Sequence, residues 1–235
     1  MATEAELAGL DNPIWHSLTT RHAQFAVGNG LARRFVREVG PLAGMSEPSE
    51  EAYGALAKLF SPSEPAVLFL DSEPVLPPGW RLQRHAALDQ MICETMPAAP
   101  DRRLVIERLR REDIPAMLEL TRLTEPGPFR ERTSELGEFL GIREDGRLAA
   151  MAGQRLALPG FTEVSAVCTH PDFRGRGYAA ALVAAVARAI GERGETPFLT
   201  ALQSNAGAVR VYESIGFQLR RNLHLAVVSP PLPGG

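Results

Sequence analysis

The sequence predicts an α/β fold in which helices cover both faces of a mixed sheet. Strand and helix patterns alternate through residues 104–228 in the order β-α-(α)-β-β-β-α-β-α-β, which is typical of layered α/β proteins. The dipeptide Asp145-Gly146 between two of the strands is a strong hairpin signal, so part of the sheet is antiparallel. The chain has 235 residues, of which 45% are hydrophobic and 23% charged, enough for a sizeable packed core.

The elements of the N-terminal part are weakly patterned. Asn12-Pro13 indicates a helix start, and a weakly amphipathic stretch follows over residues 15–26. Asn29-Gly30 indicates a turn. Residues 31–36 and 66–70 are strand candidates, and residues 50–59 are a helix candidate. These elements form an α/β pattern that carries no chemical motif.

The elements after residue 100 are clearer. Alternating or continuous apolar runs predict strands over residues 104–109, 139–143, 148–156, 163–169, 198–202 and 223–228. A helix opens at Glu112-Asp113 and runs through residue 122, because acidic side chains favour a helix N-terminus. Two further helices are predicted over residues 177–190 and 206–215, and Gly216 is a good C-terminal cap for the second.

Proline clusters divide the chain. Pro removes a backbone donor and biases the preceding residue away from helix, so the clusters at residues 74–78 and 97–100 indicate linkers. We place the boundary at the second cluster, which gives an N-terminal α/β lobe over residues 1–99 and a second domain over residues 100–235. The first part carries a net charge of −5 and the second +2.

Composition excludes several classes of protein. With 25 basic and 28 acidic residues, the net charge of −3 argues against a dedicated nucleic-acid binder. No apolar run approaches the roughly 18 residues of a membrane span, and residues 1–7 lack the regions of a secretory leader. Cys93 and Cys168 cannot build a disulfide framework, and no His/Cys spacing matches a zinc site. We expect a cytoplasmic protein without a metal, a nucleic-acid partner or a membrane partner. The sequence leaves open whether the protein forms a homodimer.

The chemistry concentrates at the junction of a strand and a helix. The strand ends at Thr169, a short loop follows, and the helix begins near Gly177. Gly175 and Gly177 permit positive φ and a close approach of the backbone to a ligand. The amides of such a loop and of the first helical turn point at one spot, which suits a pyrophosphate. The cations of Arg174 and Arg176 add to the field there.

Two motifs resemble one known family. Arg174-x-x-Gly177-x-Ala179 is similar to the [Gln/Arg]-x-x-Gly-x-[Gly/Ala] signature of the GNAT superfamily of N-acetyltransferases. Downstream, Asn205 precedes a helix and Tyr212 follows seven residues later, before a Gly-Phe pair, which resembles the family's closing motif. The resemblance covers roughly residues 104–228. It implies the GNAT acyl-CoA acyltransferase fold with an additional N-terminal lobe, and the long N-terminal half is similar to the glycine N-acyltransferase-like branch.

The resemblance also implies an activity and a set of site residues. Acetyl-CoA would be the co-substrate, and a primary amine of a small molecule would attack its thioester directly in a ternary complex. A backbone N–H near Val167 would stabilise the oxyanion, and Tyr212 would protonate the departing thiolate. Strand backbone would pair with the pantetheine arm, loop amides would hold the pyrophosphate, and an Asn would bind the pantetheine or the helix end. The implied cofactor-binding residues are Val167, Cys168, Thr169, Arg174, Gly175, Arg176, Gly177, Tyr178, Ala179, Ala180 and Asn205.

The resemblance does not identify the general base that removes the proton of the amine. Some family members carry a Glu five residues before the Asn, where this sequence has Thr200, which cannot act as a base. Other members use a Glu on the strand before the pyrophosphate loop, and Glu163 occupies such a position. Glu163 could equally be a surface carboxylate at a strand edge. In that case a solvent relay would take the proton of the amine, or the amine would already be neutral when it binds.

Other interpretations of the same residues remain. Gly175-x-Gly177-x-x-Ala180 also fits a dinucleotide fingerprint, but the next strand ends in Gln203 where that fold needs an acid. Cys168 and His170 share a strand face and could form a nucleophilic pair, although a buried structural Cys is commoner. Tyr212 could simply pack in the core, and an Asn before a helix is an ordinary N-cap.

Three functional alternatives also remain. One is a catalytically silent acyl-CoA-binding sensor or interaction module. Another is acetylation of protein N-termini, which needs an open groove for a peptide. The acidic N-terminal part would favour a cationic acceptor, because opposite charge steers encounter.

Overall fold

The computed structural model describes residues 4–61 and 63–231. Residues 1–3, part of the stretch on which the expectation about a secretory leader rests, lie outside these ranges. The α-helices are α1 (Glu4–Gly9), α2 (Pro13–Thr19), α3 (Glu50–Ala57), α4 (Ile114–Thr124), α5 (Tyr178–Gly191) and α6 (Ala206–Ile215). The strands are β1 (Ala26–Val27), β2 (Ala32–Phe35), β3 (Ala43–Met45), β4 (Ala66–Leu70), β5 (Arg81–Ile92), β6 (Glu107–Arg108), β7 (Phe139–Glu144), β8 (Arg147–Leu158), β9 (Phe161–Thr169), β10 (Thr196–Leu202) and β11 (Gln218–Ser229).

An eight-stranded mixed sheet organises the molecule, with the strand order β4-β11-β5-β10-β9-β8-β7-β6. β9 and β10 pair in parallel, and the other neighbours in the sheet pair antiparallel. Parallel neighbours need a crossover connection, which α5 supplies here. The predicted α/β class with a mixed sheet is confirmed.

Strands from the first 99 residues belong to this same sheet. β5 lies between β10 and β11, and Leu88 is in register with Leu202 on one side and Leu223 on the other. β4 extends the sheet beyond β11. The predicted boundary near residue 99 falls in a linker between β5 and β6, but a continuous sheet runs across it. A three-stranded sheet of β1, β2 and β3 is the one sheet built solely from the N-terminal part of the described ranges.

Two cores lie on opposite faces of the large sheet. Alternate residues of β10 supply them, because successive strand side chains point to opposite faces. Leu199 packs in the core that contains α5, whereas Phe198 packs in the core that contains Leu10, Ile14 and Leu18 from the N-terminal segment. The predicted apolar stripe of α5 is fully buried, as its Leu182, Val186 and Ile190 are at most 1% exposed.

Most predicted elements are present, with shifts at their ends. The hairpin turn is confirmed, since Asp145 and Gly146 have φ of 49° and 78°. The prediction of a strand over residues 104–109 is wrong except for Glu107–Arg108, and the helical stretch from residue 15 ends at Thr19. Among residues 4–61 and 63–231, no helix combines the length and the hydropathy that crossing a bilayer requires.

Candidate active site

A groove of about 820 Å³ opens where β9 and β10 separate. Their parallel pairing ends at Phe198 opposite Glu163. Beyond that point, residues 164–169 of β9 and residues 199–202 of β10 line the groove. Strands that separate in this way leave backbone groups free to pair with an extended ligand, as an added strand would.

A β-bulge shapes the β9 wall of the groove. Ala166 has a φ of 52°, and the pairing with β8 shifts register between Ser165 and Cys168. A non-glycine residue in the left-handed region is strained by about 1–3 kcal/mol, and such strain concentrates at functional sites. The bulge re-aims the backbone beside Val167, where the family resemblance implies an N–H that polarises the thioester carbonyl.

The glycine loop forms one end of the groove and ends at the N-terminus of α5. Gly175 and Gly177 have φ of 79° and 78°, as predicted from their place in the sequence. No atom lies within 4 Å of the position that a Cβ would take at either glycine, so a ligand can approach this backbone closely. Arg174 and Arg176 also line the groove, and both are exposed.

All eleven residues predicted to bind acetyl-CoA line this groove; they are Val167, Cys168, Thr169, Arg174, Gly175, Arg176, Gly177, Tyr178, Ala179, Ala180 and Asn205. Two of them also have structural partners. The Tyr178 phenol donates a hydrogen bond to Glu144, which anchors the first turn of α5. The Asn205 Oδ1 accepts a hydrogen bond from the Ala208 N–H at 3.2 Å, so the N-cap interpretation of Asn205 is confirmed. Their contacts with a ligand stay predictions.

Tyr212 lies on the wall of the groove, next to the α5 core. Its ring meets that of Phe217 edge-on at 6.3 Å, so the packing interpretation also holds. Burial raises the pKa of Tyr212 to about 12, because the phenolate loses hydration. The phenol therefore keeps its proton throughout the neutral range, as a proton donor must.

Glu163 is fully buried, so the interpretation as a surface carboxylate is wrong. Arg155 binds both of its oxygens at 2.8 Å, and the Thr200 hydroxyl donates to Oε1 at 2.8 Å. Arg155 and Thr200 line the groove, whereas Glu163 lies behind them. This geometry makes Glu163 a residue that positions Arg155. It does not favour the general-base role, which stays a prediction.

The thiol of Cys168 has the properties of a core group. Burial raises its pKa to about 11, and it packs among apolar side chains of α4 and β8. His170 instead accepts a hydrogen bond from the Asp172 N–H and contacts Arg147. The structure therefore does not support a nucleophilic pair of Cys168 and His170.

The groove continues along strands β4, β5 and β11, and no sequence pattern predicted this part of it. Its wall there is apolar and is built from Leu42, Val67, Phe69, Leu88, Leu225 and Val227. Arg84 of β5 lines this part too, and its guanidinium has no ion pair within the described ranges. The sequence predicts that several of the apolar residues lie in strands. Only the placement of β5 beside β10 shows that they line the groove.

A second missed segment consists of Thr124, the last residue of α4, and the loop over residues 125–128. These five residues line the groove. The loop also closes a small cavity with Ser165 and Ala166, so it lies against the bulge of β9. The one sequence signal for this segment is Pro126-Gly127-Pro128, which ends a helix but reveals no chemistry.

Comparison with known proteins gives consistent matches. The family model described as FR47-like protein matches residues 139–225. The [ribosomal protein bS18]-alanine N-acetyltransferase of Escherichia coli strain K12 is 30% identical over 128 residues, which cover 51% of this chain and 86% of that enzyme.

Solved structures extend the similarity to nearly the whole chain. A protein from Novosphingobium aromaticivorans, assigned to the GNAT acetyltransferase family, superposes with a TM-score of 0.87 at 39% identity and covers 94% of this chain and 98% of its own. A GCN5-related N-acetyltransferase from Kribbella flavida has a TM-score of 0.65 at 19% identity, with coverage of 100% and 98%. The second similarity concerns the fold alone.

Proposed function

Because the chain belongs to the GNAT family of N-acetyltransferases, we propose that it transfers an acetyl group from acetyl-CoA to a primary amine of a small molecule. The observation that carries this proposal is the groove between β9 and β10, which joins a glycine loop at one end to an apolar compartment at the other. The amine attacks the thioester directly, in a complex that contains both substrates.

The groove suits each part of acetyl-CoA. The open amides around Gly175 and Gly177, at the N-terminus of α5, match a pyrophosphate, and Arg174 and Arg176 add positive charge. The separated edge of β9 offers hydrogen-bonding groups to the amides of a pantetheine arm. We infer that the acetyl group then lies beside the bulge at Ala166, at the passage between the two sheet faces.

Proximity and charge stabilisation supply the proposed catalysis. Holding the amine and the thioester in line replaces a bimolecular encounter by a local one. A backbone N–H beside Val167 stabilises the negative charge that develops on the carbonyl oxygen. Tyr212, with a pKa of about 12, is protonated and gives its proton to the departing thiolate.

The N-terminal residues support a small acceptor. Leu42, Val67, Phe69, Arg84 and Leu88 all come from the first 99 residues and wall the compartment that receives the amine. We therefore assign to the predicted lobe over residues 1–99 the role of completing the acceptor site. The relative from Escherichia coli acts on a ribosomal protein, and its match covers only about half of this chain.

The charges of the compartment refine the acceptor class. Arg84 is exposed and Arg155 is neutralised by Glu163, so the wall carries no excess of negative charge that would attract a polycation. We propose an apolar monoamine as the acceptor, in place of the cationic acceptor suggested by the acidic N-terminal part. The glycine N-acyltransferase-like branch stays a prediction.

The test is release of free thiol from acetyl-CoA in a panel of amines, together with calorimetry of acetyl-CoA binding. We expect tight binding, and turnover with apolar monoamines above that with polyamines and aminoglycosides. Binding without turnover would favour the silent acyl-CoA sensor, and turnover with N-terminal peptides alone would favour a protein acceptor. Absence of binding would contradict the assignment of the groove.

A further inference from the structure

A single carboxylate lines the groove within the described ranges, and it belongs to Glu125. Glu125 follows α4 as its C-terminal cap, with a left-handed φ of 47°. Gly or Asn usually occupies this position, because a side chain there costs about 1 kcal/mol. The carboxylate is exposed and has no hydrogen bond or ion pair within residues 4–61 and 63–231.

Contacts on both sides of Glu125 hold it next to the bulge of β9. On one side, α4 packs against Cys168 through Met117 and Leu120. On the other side, residues 126–129 share a small cavity with Ser165 and Ala166. Glu125 therefore lines the same groove as Val167, beside which the proposed function puts the thioester carbonyl.

We propose that Glu125 is the catalytic base that binds the acceptor ammonium and takes its proton. This inference rests on the proposed function and names the missing base of that reaction. Glu163 is less suited, because Arg155 and Thr200 occupy its oxygens and it does not line the groove. Glu144 is engaged by Tyr178. Glu125 alone combines a free carboxylate with a position on the wall.

The proton balance of the reaction is closed by two residues. The acceptor enters as an ammonium group and leaves as an amide that keeps one N–H, so two protons must depart. One proton passes to Glu125 and then to solvent, which frees the lone pair that forms the N–C bond. When the C–S bond breaks, the thiolate receives a proton from Tyr212, and the second amine proton restores that phenol through water.

The charged and titratable groups that line the groove with Glu125 support this assignment. Arg155 of β8 and Arg84 of β5 carry guanidinium groups, which donate hydrogen bonds and have no acceptor for a proton. Burial raises the pKa of Cys168 to about 11 and that of Tyr212 to about 12, so neither accepts a proton near neutral pH. Among the described residues that line the groove, Glu125 carries the one carboxylate, and no histidine is present.

The test compares Glu125→Gln with Glu131→Gln, an exposed glutamate further along the same connection that does not line the groove. Both variants and the wild type are assayed with the best amine of the panel and with its β,β,β-trifluorinated analogue. Three fluorines lower the pKa of the ammonium group so far that the analogue is largely neutral at pH 7 and binds without giving up a proton first. Circular dichroism and calorimetry with acetyl-CoA check that each variant folds and binds.

We expect Glu125→Gln to lower kcat/KM about 100-fold or more for the ordinary amine, the range of a lost general base. The loss for the fluorinated analogue should be less than tenfold, and Glu131→Gln should match the wild type for both. Equal losses for both amines, or no loss, would overturn the base assignment while leaving the transfer reaction intact. A wild type that binds acetyl-CoA but acetylates no amine would overturn the proposed function together with it.

Discussion

In the proposed reaction, Tyr212 serves packing and chemistry together. Its ring packs edge-on against Phe217, and burial raises the pKa of the phenol to about 12. We expect Tyr212→Phe to retain the packing and to lower kcat about 100-fold, because only the proton donor is removed. Steady-state kinetics and calorimetry would measure this, and the Kd of acetyl-CoA should change little.

Tyr53→Phe is the matched control for that experiment. Tyr53 is buried in a separate core next to Trp80, and its hydroxyl has no partner within the described ranges. Its loss should leave kcat unchanged. If Tyr212→Phe behaved like Tyr53→Phe, Tyr212 would be a packing residue only.

His22 makes the stability of the protein depend on pH. It is 4% exposed, contacts the Ser17 hydroxyl through Nδ1 at 2.9 Å, and lies 3.1 Å from the Leu136 carbonyl through Nε2. A neutral ring satisfies both contacts when Nε2 donates and Nδ1 accepts. Burial lowers the pKa of His22 from 6.5 to about 4.

Because the native state binds fewer protons than the unfolded state between pH 4 and 6.5, the free energy of unfolding falls as the pH drops through this range. The full effect of such a shift is about 3 kcal/mol. Urea unfolding at pH 7 and pH 5 would show about 2 kcal/mol of it, because pH 5 lies between the two pKa values. His22→Gln should remove most of the difference and the exposed His85→Gln should preserve it; a difference that survives His22→Gln would contradict this assignment.

At the scale of elements, the loop before α5 offers a sharp test of phosphate binding. Gly177 and Gly194 both have a φ of 78° and open space at the Cβ position, but only Gly177 lines the groove. A Glu at either position is therefore expected to cause similar backbone strain. We expect Gly177→Glu to abolish acetyl-CoA binding in calorimetry, because bulk and negative charge would occupy the pyrophosphate position, whereas Gly194→Glu should bind as the wild type does. Equal binding by both variants would refute the predicted phosphate site.

The elements that could be predicted from the sequence are those whose local pattern and final environment agree. The turn at Asp145-Gly146 and the strand–loop–helix around Gly177 carry their geometry in their own residues. β5 was missed because its first five residues are exposed and four of them are polar, and its buried positions begin only at Leu88. Its place in the sheet depends on partners more than 100 residues away in the sequence, which no local pattern can reveal.

The candidate site divides along the same line. The half proposed to bind acetyl-CoA was predicted from one short segment, in which Arg174 and Gly177 stand at fixed spacing. The half proposed to bind the acceptor is lined by β4, β5, β11 and the loop after α4, so Arg84 and Glu125 line one groove only in the folded chain. The sequence left two equal interpretations of Glu163, a general base and a surface carboxylate. The structure buries it, because the partner that compensates its charge, Arg155, lies on the neighbouring strand.

At the scale of the whole molecule, the two parts of the chain fold as one sheet. Removal of residues 1–99 would take β5 from between β10 and β11 and leave both strands with unpaired edges. We expect the fragment 100–235 to lack a cooperative urea transition and to bind no acetyl-CoA, in contrast to the full chain. A fragment that unfolds cooperatively and binds acetyl-CoA would instead support two separate domains divided near residue 99.

The position of β5 also decides when this protein can complete its fold during translation. β5 leaves the ribosome early, yet its neighbours β10 and β11 are synthesised more than 100 residues later. Until then its apolar second half has no sheet partner, and non-local strand pairing of this kind is slow and exposed to aggregation. The large sheet cannot be completed before β11 has been synthesised. Chaperones that hold unfinished chains would therefore be needed most after β5 and before β11 leaves the ribosome.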